Sequence, residues 1–119
     1  MNRILVASAV ALATGLLTVS SAAAAAPRLT GTVGPGYTIK LTQSGNKVTK
    51  LKAGTYTFVI TDKASNHSYG LDGPNGFAKD YTSVPFKGTK TFTVTLKKGT
   101  YKFYCSVHES SMFGNFTAS

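Results

Sequence analysis

The chain has 119 residues, with 13 Lys and Arg against four Asp and Glu, a net charge of +9, and a single cysteine. That length leaves no room for a second domain beside one small core, and one cysteine excludes an intramolecular disulfide. Charge of this sign points to acidic partners.

Residues 1–26 read as an export signal that is expected to be cleaved. Arg3 supplies a short positive region, residues 4–19 an apolar stretch, and residues 21–26 a small-residue segment with A-x-A matches. The apolar stretch is shorter than the ~20 residues a spanning helix needs, and cleavage after Ala24 or Ala26 fits best. Residues 27–119 are then the folded domain. Without Arg3 it holds twelve Lys and Arg against Asp62, Asp72, Asp80 and Glu109, a net charge of +8.

Beyond the leader no helical periodicity of useful length occurs, and Thr, Tyr, Phe, Val and Gly dominate, so the chain is expected to be all-β. In chain order the strand candidates are 29–33, 37–41, 48–51, 55–61, a short piece at 67–71, 91–96, 100–105 and 115–118. Tyr56, Phe58 and Ile60 alternate with threonines, as do Phe92, Val94 and Leu96, which predicts half-buried strands with a threonine-rich outer face. Gly and Pro punctuate the runs, as in Gly34-Pro35-Gly36, Ser44-Gly45-Asn46 and Gly73-Pro74-Asn75-Gly76. Seven to eight short strands with such turns predict a Greek-key β-sandwich or barrel. Lysines cluster at 40–52 and 87–102 among the threonines, as on a solvated, edge-protected sheet face.

The segment from Leu96 to Tyr101 has the form of a tyrosine corner, which makes Tyr101 structural. Alternation then puts Tyr101, Phe103 and Cys105 on the interior face. Cys105 is inert, reactive, intermolecular or metal-bound, and an unprotected thiol in an oxidising compartment is prone to oxidation. His108 and Met112 follow within eight residues, and His67, the only other histidine, lies in a polar connection. Singly, a lone Cys, Met or loop His is most often packing or solvated surface. Together, two imidazoles, one thiolate and one thioether form the donor inventory of a blue-copper electron-transfer site. Zinc fits the same donors but is redox-silent. A catalytic Cys–His pair lacks an evident orienting Asn or Asp and an oxyanion site.

On Asn66-His67-Ser68, Gly99 to His108 and Met112-Phe113-Gly114, the chain resembles the cupredoxins, particularly the small plastocyanin, amicyanin and pseudoazurin type. The resemblance implies one copper ion cycling between Cu(I) and Cu(II), with His67, Cys105 and His108 as equatorial ligands and Met112 as the axial one. It also implies that the Ser68 amide donates to the Cys105 sulfur, and it suggests that the Ser68 hydroxyl ties to Ser106 in place of the family's asparagine. Three residues separate His108 from Met112, a spacing between those of amicyanin-like and plastocyanin-like loops. Phe77, Leu71, Pro74 and Phe113 are candidates for an apolar docking collar, or, for the two phenylalanines, for the core.

The function expected is that of an exported, periplasmic or extracellular one-electron carrier and not an enzyme; the alternative is copper carriage or sequestration in the cell envelope. Its expected partner is a redox protein with an acidic docking surface, with weak association to an anionic membrane surface as a further fit to the charge. Nucleic acid is not expected as a partner, and the chain is expected to be a monomer.

Overall fold

The computed structural model describes residues 11–16 and 25–119, so most of the expected leader lies outside the described residues. Among the described residues ten strands follow one another: β1 (Arg28–Val33), β2 (Ile39–Gln43), β3 (Asn46–Lys47), β4 (Lys50–Leu51), β5 (Gly54–Asp62), β6 (Tyr69–Asp72), β7 (Ala78–Thr82), β8 (Gly88–Leu96), β9 (Gly99–Tyr104) and β10 (Phe113–Ala118). A 3-10 turn, Pro74–Gly76, is the one helical element among the described residues. Two strands are two-residue pieces, and eight have four residues or more.

The strands form two mixed five-stranded sheets, in the orders β3-β2-β1-β5-β8 and β4-β10-β9-β6-β7. The fold is thus all-β. Consecutive strands repeatedly change sheet, as expected for a Greek-key sandwich. The alternation in β5 has the predicted result: Tyr56, Phe58 and Ile60 are buried while Thr55, Thr57 and Thr61, with Val59, lie on the opposite face. Across the β5–β8 ladder those threonines pair, Thr55 with Thr95 and Thr61 with Thr89, each at 3.1 Å between hydroxyls. Leu29, Val33, Phe58, Ile60, Tyr69 and Leu71 are fully buried between the sheets, and each such side chain contributes about 1.5–3 kcal/mol through burial. Gly31 permits the closest approach: a Cβ there would lie 2.5 Å from the Ile60 side chain and 2.8 Å from the Tyr69 ring. Tyr69 uses this space to reach from β6 across to β2, where its hydroxyl donates to the Lys40 carbonyl at 2.9 Å.

Four details depart from the sequence pattern. The second strand begins at Ile39, because Gly34 and Gly36 adopt φ of 68° and 70° and the Gly34 amide donates to the Thr38 carbonyl at 2.8 Å. This closes a turn that leaves Tyr37 outside the ladder and 67% exposed. Of the 48–51 candidate only Lys50–Leu51 is a strand, β4 in the second sheet, while β3 precedes it at Asn46–Lys47 in the first. The short piece at 67–71 starts only at Tyr69, and β7 was not anticipated, since its exposed start, Ala78-Lys79-Asp80, carries no alternation.

Strand direction fixes where the site lies. β1 and β5 run parallel and end together at Val33 and Asp62, so the turns after both lie at the same end; the Lys63 amide donates to the Val33 carbonyl at 2.9 Å. β6 and β9 are antiparallel with Gly70 opposite Tyr104, so the start of one meets the finish of the other. The connections holding Gly34 to Tyr37, His67 and Cys105 therefore converge.

Candidate metal centre

Cys105 immediately follows β9 and is fully buried, as the parity of Tyr101 and Phe103 requires. The loop beyond it is a hydrogen-bonded turn rather than an open excursion. The His108 amide donates to the Cys105 carbonyl at 3.2 Å, the Met112 amide to the His108 carbonyl at 2.9 Å, and the Cys105 amide to the Met112 carbonyl at 3.0 Å. The backbone thereby fixes the positions of Cys105, His108 and Met112 relative to one another, and Met112 is buried beside Cys105 in the core.

His67 arrives from the other side, on the β5–β6 connection, and is 2% exposed. Asp62 anchors the base of that connection. Its buried carboxylate accepts from the Ala64 amide at 3.2 Å and from the Thr82 hydroxyl at 2.9 Å. The first contact is a local Asx-type turn, readable in principle from an Asp at the end of a strand; the second depends on β7.

The donor atoms of His67, Cys105 and His108 converge. The two Nδ1 atoms are 3.2 Å apart, and each lies 3.8 Å from the Cys105 Sγ. A point in the plane of that triangle lies about 2.0 Å from both nitrogens and about 2.2 Å from sulfur, which are ordinary bond lengths for an imidazole- and thiolate-bound transition metal. The donor set and its spacing fit one ion. All four residues singled out in the sequence lie at this end: three donors in the triangle, and Met112 buried at the close of the loop.

Ser68 links the two sides. Its amide donates to the Cys105 sulfur at 3.4 Å, and its hydroxyl accepts from the Ser106 amide at 2.8 Å and lies 2.8 Å from the Ser106 hydroxyl. Both expected contacts are present. Tyr101, the expected corner residue, donates from its hydroxyl to the Lys97 carbonyl at 2.9 Å. Tyr56 does the same to the Lys52 carbonyl at 2.7 Å, a second such link that the sequence reading missed.

The rim differs from the expected collar. Leu71 is core, and Phe77 packs on Tyr101 with ring centroids 6.4 Å apart. Pro74 lies against Gly99 at the start of β9. Tyr101 precedes Cys105 by four residues of extended chain, roughly 13 Å, so these groups lie toward the other end of the sandwich. Phe113 remains at the site end, 49% exposed, with Val107 at 55%. Tyr37, which the sequence reading placed in a strand, stands over both imidazoles, its ring centroid 4.9 Å from that of His108 and 5.8 Å from that of His67. Glu109 is an exposed rim residue, paired with Lys102 at 2.9 Å.

No family model matches the chain, and no curated protein matches it. Among solved structures, the copper protein rusticyanin is 19% identical over 77% of this chain and 76% of its own, with a TM-score of 0.54. Reduced rusticyanin is 20% identical over 77% and 78%, also with a TM-score of 0.54. The arrangement of two mixed five-stranded sheets is a cupredoxin-like fold.

Proposed function

We propose that the chain is a mononuclear copper protein that carries single electrons, with His67, Cys105 and His108 as the three close ligands and Met112 as the fourth, weaker one. The observation that carries this reading is the triangle of two imidazole nitrogens and one sulfur, already at metal-binding separation. Rusticyanin, whose fold it shares, is a copper protein. When bound, copper supplies a one-electron couple, and a mixed sulfur and nitrogen set accommodates both of its oxidation states.

The protein's own residues do the rest. The β9–β10 turn holds Cys105 and His108 in place through backbone hydrogen bonds, so little rearrangement accompanies a change of charge. The Ser68 amide donates to the Cys105 sulfur and thereby tunes its donor strength. His108 is half-buried while His67 and Cys105 are fully covered, which makes His108 the electron port. No substrate is transformed, and the chain is not an enzyme on this reading.

Residues 1–26 are a cleaved export leader and residues 27–119 one copper-binding domain, acting as a monomer in the periplasm or outside the cell. The excess of lysine suits a redox partner with an acidic docking surface, and more weakly an anionic membrane surface. The test is exchange against cycling. The copper-loaded protein is expected to undergo reversible one-electron oxidation and reduction while retaining its metal against a modest Cu(I) chelator. Rapid loss of Cu(I) to the chelator would instead support carriage or sequestration.

A further inference from the structure

Ligating histidines are ordinarily oriented by a hydrogen bond from the ring nitrogen that does not face the metal. At this site the hydrogen bonds of both imidazoles run through Nδ1 alone, toward each other and toward the Cys105 sulfur. The aromatic ring that packs against both imidazoles is that of Tyr37. Its ring meets that of His108 edge-on, at 88° and 4.9 Å between centroids, and that of His67 at 65° and 5.8 Å. The two imidazoles are themselves edge-to-face at 5.0 Å, so the three rings form a closed cluster in the attractive geometry for aromatic pairs.

The turn bearing Tyr37 is built to hold it there. Gly34 and Gly36 supply left-handed backbone, with φ of 68° and 70°. The Gly34 amide donates to the Thr38 carbonyl at 2.8 Å, and the Thr38 hydroxyl to the Pro35 carbonyl at 3.1 Å. Gly34 also packs directly on His67, for a Cβ there would lie 3.3 Å from the imidazole Cδ2. A tyrosine 67% exposed contributes little to the core, so this geometry serves the histidines rather than the fold.

We propose that Tyr37 is a positioning residue, which orients the His108 ring by edge-on packing and covers the solvent side of the histidine pair, so that it limits escape of the ion. This rests on the copper reading above. Tyr37→Ala removes both ring contacts; Tyr37→Phe keeps them and removes only the hydroxyl.

The experiment compares wild type, Tyr37→Ala and Tyr37→Phe. In the metal-free proteins the ring-current displacement of the His108 ring protons, read by NMR, is expected to be retained in Tyr37→Phe and lost in Tyr37→Ala. In the copper-loaded proteins, each is expected to form the thiolate-to-copper band. Tyr37→Ala is then expected to release Cu(I) to a chelator about tenfold faster, with Tyr37→Phe within about twofold of wild type, since the first loses both ring contacts and the second keeps them. Release from Tyr37→Ala at the wild-type rate, or His108 proton shifts unchanged by it, overturns the role of Tyr37 alone. A wild-type protein that forms no thiolate-to-copper band overturns the copper reading and this role with it.

Discussion

Ser68 joins the two ligand-bearing segments through both its backbone and its hydroxyl. It donates from its backbone to the Cys105 sulfur, and its hydroxyl satisfies the Ser106 amide on the opposite loop. Ser68→Ala leaves that amide without its partner, and is expected to lower stability by about 1 kcal/mol, read as the midpoint of denaturant unfolding of the metal-free protein. In the copper-loaded protein the same substitution is expected to shift the reduction potential, because the hydroxyl also lies 3.8 Å from the sulfur. An unchanged potential would remove Ser68 from the tuning of the site. The donors themselves are legible in the sequence, because Cys105, His108 and Met112 share one turn and ligand-type residues are scarce elsewhere. Tyr37 is not legible, since its place over the imidazoles depends on a turn that swings the following strand two residues later than its alternation suggests.

Among the elements, tyrosine hydroxyls do much of the joining. Tyr69 of β6 crosses to the Lys40 carbonyl of β2, and Tyr104 of β9 donates to the Asp72 carboxylate of β6 at 2.9 Å. Burial, then the Asp72 acceptor, pushes the Tyr104 hydroxyl up to about 12, and burial raises Tyr69 well above the ordinary tyrosine value. A group whose folded pKa is raised stabilises the protein fully below its unfolded pKa, near 10, and loses that contribution as pH climbs through the folded value. Stability is therefore expected to fall between about pH 10 and pH 12, with a shallower fall in Tyr104→Phe; denaturant midpoints measured across that range check both. The long alternating strands β5 and β8 were readable because one face is apolar and the other threonine. β7 was not, because three exposed residues precede the buried Tyr81 and Thr82 and the ladder with β6 shifts register between Tyr69 and Gly70. The expected collar failed for a topological reason: β6 leads away from the site, and carries Pro74 and Phe77 with it.

At the scale of the molecule, the sandwich brings three connections that are distant in sequence to one end. Strand direction decides this, and direction is a property of pairing that local alternation does not encode. The result is a cysteine sulfur and two imidazoles brought together between the sheets, the Tyr37 ring against both imidazoles, and exposed Tyr37, Val107 and Phe113 near a half-buried His108. A copper ion bound there has a rigid frame and one edge open to a partner. The most direct test is to add Cu(II) to the purified domain and record visible and electron-paramagnetic-resonance spectra, with Cys105→Ser as control. An intense thiolate-to-copper band that saturates at one copper per chain and is absent from Cys105→Ser is the predicted result. A wild-type protein that binds Cu(II) without that band, or with a spectrum indifferent to Cys105→Ser, would contradict the account.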